Sequence, residues 1–498
     1  MKIAIIGAGF AGLSTAKVLR QSGHSVAVYE KAPDVGGVWS RTRRYPGVRT
    51  QNNKGTYAMS DFPMPRSFPQ WPTGEQLQSY LASYASTFEL DAVIQLGTEV
   101  TWAELDLGGT FWTLTLRTDD AAERREVFDH LVVANGIFSE PLLPPFEGID
   151  DFVRAGGRVC ASGDFHDVTD AADRNVIVVG YGKSSCDVAV PISDVAASTD
   201  VVARELLWKM PKKLGGLVNF KYLMLTRMGE GLFRYIRPHG MERFLHGPGN
   251  PVRKQLLGLV QAVATRQLKL RGLGLVPDGT FEDIARSTVS LATDGFYERV
   301  SDGRITVHRD TVITRLFEKD GRPHAEIGGG TVVPADLVVC AIGFVQSVPF
   351  LSDDVLDRIT DDRGNFELYR QIHPLDVPHL SFAGYNSSFF SPLSAEMAAV
   401  WIAEQIGGGI VLPPVDELRR RVDERLRWME QRTNGNHARG TNIIPFSMHN
   451  IDEVLDEIGL NVGPLTRAMQ WLGPVRPQSY RRITPKMVKR QQKRRSPQ

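Results

Sequence analysis

Two glycine fingerprints in one chain constrain the fold more than any other feature. Gly7-x-Gly9-x-x-Gly12 follows a short β-branched run from Lys2, and Gly180-Tyr181-Gly182-Lys183-Ser184-Ser185 follows Asn175-Val-Ile-Val-Val. Each pattern predicts a strand, a tight turn and a helix. The first glycine permits the turn, the second lets the backbone approach a pyrophosphate, and the third small residue lets the helix pack on the strand. The helix N-terminus then points its free N–H groups at the phosphates. The two openings lie about 170 residues apart and are not a tandem repeat, so they mark two lobes.

The strand after each turn distinguishes the ligands. Beyond the first turn, a helix is predicted from Leu13 to Ser22 and a strand from Ser25 to Glu30. Glu30 ends that strand, where a carboxylate accepts from ribose hydroxyls. Beyond the second, the strand Asp200-Val-Val-Ala-Arg204 ends in a guanidinium. An acid there would repel a 2′-phosphate, whereas Arg204 can grip it in a bidentate way. Trp208 and Lys209 lie closely behind and are expected to cover and neutralise the same phosphate. The first site is therefore assigned to FAD and the second to NADPH. Two such sites place an isoalloxazine against a nicotinamide, an arrangement for hydride exchange.

The rest of the chain supports an α/β protein. Residues 36–73 are irregular, a helix is predicted from Gly74 to about Phe88, and strands over 99–104, 111–117 and 128–134. Residues 209–290 look largely helical, strands return over 304–316 and 331–340, and 379–408 reads as strand, loop and helix. The chain has 498 residues, 42% hydrophobic and 23% charged, which excludes a disordered or fibrous protein. Cys160, Cys186 and Cys340 are the three cysteines, and no CxxC pair occurs, so a disulfide framework, a cysteine-rich zinc site and a dithiol centre are not expected. No signal peptide or spanning segment is evident, and the expected location is cytoplasmic. The net charge is +1, yet Lys209–Asp278 holds 13 basic and 3 acidic residues, and Arg481–Gln498 adds 8 basic residues. Such segments suit a solvated face with a frayed tail, or peripheral membrane contact. Nucleic-acid modules have no signature here.

These residues resemble the flavin-containing monooxygenase family, including its Baeyer–Villiger relatives. The resemblance rests on both fingerprints and Glu30, on Gly36-Gly37-Val38-Trp39, Tyr45-Pro46-Gly47 and Ser60-Asp61-Phe62-Pro63-Met64-Pro65, and on Ala341–Phe344 and Phe382-Ala-Gly384-Tyr. It implies that Gly37, Val38 and Trp39 lie along the flavin, and that Ala134-Asn135-Gly136 and Ala341-Ile342-Gly343 approach the two nucleotides. Phe10, Ala11, Lys31 and Gly384 complete the cofactor set on the flavin side, and Lys183, Ser184 and Ser185 on the NADPH side. It implies the family chemistry as well: NADPH reduces FAD, and O2 forms a C4a-(hydro)peroxyflavin that oxygenates a small organic substrate. No metal is required. Counting back from Ser60-Asp61-Phe62, the family's active-site asparagine falls on Gln51, with Asn52 next, and both are amide donors assigned to catalysis. Baeyer–Villiger members typically carry an acid here. Gln51 thus favours N- or S-oxygenation or hydroxylation, with Baeyer–Villiger oxidation of a ketone as the alternative.

One departure concerns the family's F-x-G-x-x-x-H element. Around Gly156, Arg154 and Cys160 stand in the aromatic and histidine places, or Phe152 is the aromatic with an insertion, and His166 falls out of register. This departure and the basic segments keep a third reading open: a flavin-bound interaction or membrane-associated protein that no longer oxygenates. The expected organisation is two Rossmann-like domains: FAD-binding over 1–150 and 331–450, NADPH-binding over 151–330 with a helical insertion over 209–300, and an extension over 451–498 ending in the basic tail. Substrate identity and oligomeric state have no sequence signal.

Overall fold

The computed structural model describes residues 1–118, 121–286, 290–435 and 438–495. Each fingerprint strand lies inside its own five-stranded parallel sheet. The first sheet runs Leu380–Phe382, His130–Val133, Lys2–Ile6, Ser25–Tyr29 and Ile94–Gln95. The second runs Thr306–Arg309, Ser198–Ala203, Asn175–Val179, Leu337–Cys340 and Arg158–Ala161. Parallel strands covered on both faces read as continuous apolar runs, which is why neither fingerprint strand alternates with polar residues.

The two lobes use the same layering. Ile3 and Ile5 pack with Leu13, Leu19 and Trp401 on the helical side, while Ala4 and Ile6 pack with Trp112, Leu114 and Phe128 on the other. Those three aromatic and aliphatic partners belong to an antiparallel sheet of Thr98–Leu105, Trp112–Thr118 and Ala121–Phe128. In the second lobe Val176 and Val178 face the helical side, and Ile177 packs with Leu316, Ala325 and Ile327. A second antiparallel sheet, Ile313–Lys319, Arg322–Ile327 and Thr331–Pro334, supplies that cover.

Several expectations change. The strand Leu337–Cys340 pairs in parallel with Asn175–Val179 and Arg158–Ala161, so the second lobe continues past residue 330. Between the strands read over 304–316 and 331–340 lies a further strand, Arg322–Ile327, in which Arg322, His324 and Glu326 alternate with the buried Pro323, Ala325 and Ile327. Residues 209–219 form short strands, and helices follow at Lys221–Met224, Arg227–Gly231, Gly240–Leu245 and Asn250–Gln267. The basic tail is not frayed over 483–495. Helix Ile483–Arg495 buries Met487, and Arg490 and Arg494 reach the fully buried Glu404 at 3.0 and 2.7 Å. None of the described helices is long and apolar enough to cross a membrane.

A buried ion cluster ties the insertion to the C-terminal helices. His449, on helix Ser447–Glu457, places Nδ1 on Glu230 and Nε2 3.0 Å from Glu242. Glu230 also accepts from the Met448 and His449 amides at 2.9 and 2.8 Å. Burial opposes charge on the imidazole, but the two carboxylates outweigh it and raise its pKa from 6.5 to about 10. A raised histidine contributes stability that is complete below its unfolded pKa of 6.5 and is lost as pH rises through about 10. Urea midpoints should therefore fall between pH 6.5 and 10, and His449→Gln should flatten that decline. Equal slopes in wild type and variant would show that the cluster is not the titrating element.

Candidate functional site

At the first turn, Gly7 has φ +106°, and a Cβ there would stand 2.5 Å from the Ala134 carbonyl oxygen. A Cβ on Gly12 would stand 1.8 Å from the Gly7 carbonyl oxygen, so the helix Phe10–Gln21 can seat only on glycine. The second turn repeats this arrangement. Gly180 has φ +115°, and a Cβ there would lie 2.7 Å from the Ala341 carbonyl oxygen. Ser185 replaces the third glycine, and its Oγ donates to Ala341 O at 3.0 Å. The looser packing that a serine requires is thus satisfied by a hydrogen bond. Ala134-Asn135-Gly136 and Ala341-Ile342-Gly343 each end the strand beside their turn, where the resemblance puts them.

Glu30 is buried and accepts from the Ala8 amide at 2.7 Å and the Ala32 amide at 2.9 Å, one on each carboxylate oxygen. Two amides fix its orientation and leave lone pairs for ligand hydroxyls. Gly37 lies against Gly9, with a hypothetical Cβ 3.2 Å from Gly9 Cα. Phe10 packs edge-on to Tyr57 at 5.4 Å, and Tyr57 edge-on to Trp39 at 6.4 Å. Lys31 and Val38 are exposed at the rim. Gly384, with φ +77°, closes on Ala11, to whose Cβ a side chain would come within 2.8 Å. Asn135 joins this end to the other linker: Nδ2 donates to Ser347 O at 2.8 Å, and Tyr385 OH donates to Oδ1 at 2.6 Å.

The amide loop differs in detail from the sequence reading. Gln51 Oε1 accepts from the Leu291 N–H of the second lobe at 3.3 Å. Asn52 Nδ2 donates to the Phe389 carbonyl. Asn53 Oδ1 caps its own turn through Gly55 N at 3.1 Å, yet among the described residues Asn53 Nδ2 is buried with no partner. Trp39 Nε1 is likewise buried and unpartnered. Buried donors without acceptors are uncommon, and these two fit a ligand rich in acceptors, as a flavin dinucleotide is. Asn53 follows Gln51 and Asn52 directly, but only the fold shows which of the three amides lacks a partner.

At the second site Arg204 ends its strand exposed, with no ion pair among the described residues. Arg309, at the end of the adjoining parallel strand, pairs with Ala203 in the register, and its guanidinium is taken up by Asp310 at 2.7 Å and the Gly274 carbonyl at 2.6 Å. Trp208 and Lys209 depart from their expected position. Both are buried, and Lys209 Nζ donates to Tyr181 O at 2.7 Å beneath the turn. Burial depresses the Lys209 pKa. Trp208 packs 6.0 Å from Phe281 in the core, because residues 206–210 turn inward to pair Lys209–Met210 with Ser290–Leu291. Lys183 folds back onto Asp187. Cys160 sits buried in its strand, and His166 lies exposed with Nδ1 3.3 Å from Arg44 O.

A buried charge cluster holds the Ser60-Asp61 loop. Lys17 Nζ lies 2.6 Å from Asp61 and 3.6 Å from Glu396, and Glu396 accepts from Ser60 N and Oγ, both at 2.8 Å. Burial raises the Glu396 pKa, with Lys17 opposing it. Glu396 lies on helix Ser391–Ile406, so this helix anchors the flavin-side loop rather than offering its carboxylate to a ligand.

Comparison with known proteins agrees with this geometry. The family model "Flavin-binding monooxygenase-like" matches residues 1–246. Flavin-containing monooxygenase 3 of Rattus norvegicus is 26% identical over 458 residues, covering 87% of this chain and 79% of its own length. Among solved structures, S-allyl-L-cysteine S-oxygenase from Allium sativum superposes with TM-score 0.64 at 19% identity, covering 99% of this chain and 93% of that one. OTEMO in complex with FAD and NADP superposes with TM-score 0.69 at 17% identity, covering 92% and 97%.

The two kinds of glycine should respond differently. Gly7→Ala puts a Cβ 2.5 Å from Ala134 O at φ +106° and should lower stability by at least ~2 kcal/mol. Gly182 has φ −72° and open space where its Cβ would lie, so Gly182→Ala should leave the melting temperature within about 2 °C while weakening NADPH binding. Thermal unfolding and nucleotide titration read the two effects, and a strongly destabilised Gly182→Ala would refute the distinction.

Proposed function

Because the chain belongs to the flavin-binding monooxygenase-like family, we propose that it is an FAD- and NADPH-dependent monooxygenase acting on a soft nitrogen or sulfur of a small organic substrate. The observation that carries this reading is a pair of like glycine turns in two lobes that touch directly: Tyr45 OH donates to Ser184 Oγ at 3.1 Å, and Leu291 N–H donates to Gln51. When bound, the flavin and nicotinamide supply the redox chemistry and the transfer of oxygen from O2.

The protein's own part is to bind, orient and keep water out. Gly7, Gly9 and Gly12 bring backbone N–H groups to the first pyrophosphate, and Glu30 accepts ribose hydroxyls. Trp39, Tyr57 and Phe10 form a largely apolar wall where charge interactions strengthen and water is excluded. The amides of Gln51, Asn52 and Asn53 are the hydrogen-bond donors of the site, and Asn53 Nδ2 is already desolvated without an acceptor. A neutral donor set here supports oxygenation of a soft nucleophile over attack on a carbonyl. Gly180, Gly182, Ser184 and Ser185 form the second turn, with Arg204 at the 2′-phosphate position.

Arg204→Ala should raise the KM for NADPH about 10- to 100-fold, the cost of ~1.5–3 kcal/mol for a hydrogen bond to a charged group, and leave NADH use unchanged. Steady-state kinetics with both nucleotides checks this, and an unchanged preference rejects the clamp. A panel of one tertiary amine, one thioether and one cyclic ketone under O2 tests the reaction. N-oxide or sulfoxide is expected. Lactone as the sole product would transfer the assignment to ketone oxidation, and NADPH consumption with no oxygenated product would end the monooxygenase reading.

A further inference from the structure

Asp187 lies one turn inside helix Lys183–Ile192, and the residue is 4% exposed. Oδ1 accepts from Lys183 Nζ and, at 2.6 Å, from Thr293 Oγ1. Oδ2 is buried and has no partner among the described residues. A buried carboxylate oxygen without a donor is costly, so a site that keeps one calls for a reason. A donor stands close by. Tyr45, from the other lobe, gives its hydroxyl to Ser184 Oγ and already lies within hydrogen-bonding reach of the Asp187 carboxylate, so a small rotation exchanges one acceptor for the other. Gly47 lies against Asp187 as well, where a Cβ would come 3.3 Å from the Asp187 carbonyl oxygen.

We propose that Asp187 and Tyr45 form a two-position relay that reports nucleotide occupancy in the second lobe to Gln51 in the first, an inference that rests on the NADPH reading above. Lys183 stands at the first helical position, directly after the Gly180–Gly182 turn, and its side chain is 12% exposed while it rests on Asp187. A phosphate held at that turn competes with Asp187 for the ammonium. When Lys183 turns to the phosphate, Asp187 loses its cation, so the remaining donors bind it more tightly. Thr293 is one. Tyr45 is the other, and it moves from Ser184 Oγ to the vacant Oδ2.

Both donors lead to the same amide. Tyr45 opens the 45–53 segment that carries Gln51, and Thr293 follows Leu291, whose N–H holds Gln51 Oε1 at 3.3 Å. The relay therefore has two discrete arrangements and a path to the flavin-side donors, which a physical coupling requires. Asp187, Thr293 and Tyr45 act here as positioning residues.

Hydrogen exchange on the FAD-loaded protein with saturating 2′,5′-ADP tests this, because that probe carries the phosphates but no nicotinamide. In wild type, exchange should slow over 180–184 and also, by at least about threefold, over 45–53 and 290–294. Tyr45→Phe should keep the protection over 180–184 and lose it over 45–53. Asp187→Asn should lose it over both distant segments. By reciprocity, Tyr45→Phe should weaken 2′,5′-ADP binding about fivefold. Wild-type protection over 45–53 in Tyr45→Phe, or no distant protection in wild type, overturns the relay and leaves the NADPH reading standing. Absence of protection over 180–184 in wild type overturns both.

Discussion

No side chain fits where Gly7 and Gly180 stand, and the rest of the molecule is built on that restriction. In each lobe the turn lies so near the carbonyl that follows the neighbouring strand, Ala134 in one and Ala341 in the other, that a Cβ would stand 2.5 and 2.7 Å from its oxygen. That closeness aligns the helix N-terminus with the carboxyl edge of its sheet, the edge where open α/β sheets bind ligands. It also fixes which strand lies beside the fingerprint strand, since only His130–Val133 and Leu337–Cys340 can present that carbonyl. The repeated layering, a parallel sheet between helices and a three-stranded antiparallel cover, extends outward from these two contacts.

Much of this was legible in the sequence, and the reasons are local. Fingerprint, strand and helix are each specified within about 30 consecutive residues, so Gly7–Glu30 and Asn175–Arg204 could be placed without the fold. The strand order could not, because Leu337–Cys340 and Leu380–Phe382 return to their sheets from far along the chain, and apolar runs do not state their neighbours. The same limit explains Trp208 and Lys209. Proximity in sequence to Arg204 suggested a shared phosphate, yet two residues of strand pairing with Ser290–Leu291 turn the segment inward. Of the three successive amides, the sequence could assign Gln51 and Asn52 only by count. The Phe389 carbonyl takes the Asn52 amide, while Gly55 and Leu291 donate to the Asn53 and Gln51 amide oxygens, and none of these partners is legible from spacing.

The basic segments illustrate the difference between composition and placement. Arg227 takes Asp452 through two nitrogens at 2.5 and 2.9 Å, Arg253 takes Glu282 at 2.7 Å, and Arg490 and Arg494 share Glu404. Part of the positive charge of the insertion and tail is thus met by specific acids of the fold. A buried pair adds little net stability over apolar packing, but losing one partner strands a charge, so such pairs fix which surfaces meet. Here they dock the tail onto helix Ser391–Ile406 and the insertion onto helix Ser447–Glu457.

That docking bears on the site through a single helix. Glu404, which receives the tail, and Glu396, which receives Lys17 and Ser60, lie on Ser391–Ile406 eight residues apart. The helix is buried along nearly its whole length, so it cannot shift to satisfy one carboxylate without disturbing the other. The loop beyond Gln51, Asn52 and Asn53 is thereby referenced to the C-terminal helices on one side, while Leu291 and Tyr45 reference it to the nucleotide turn on the other. A side-chain amide held from two sides is positioned by their difference. Small changes at the second turn can then reach the flavin-side donors without any movement of the first sheet.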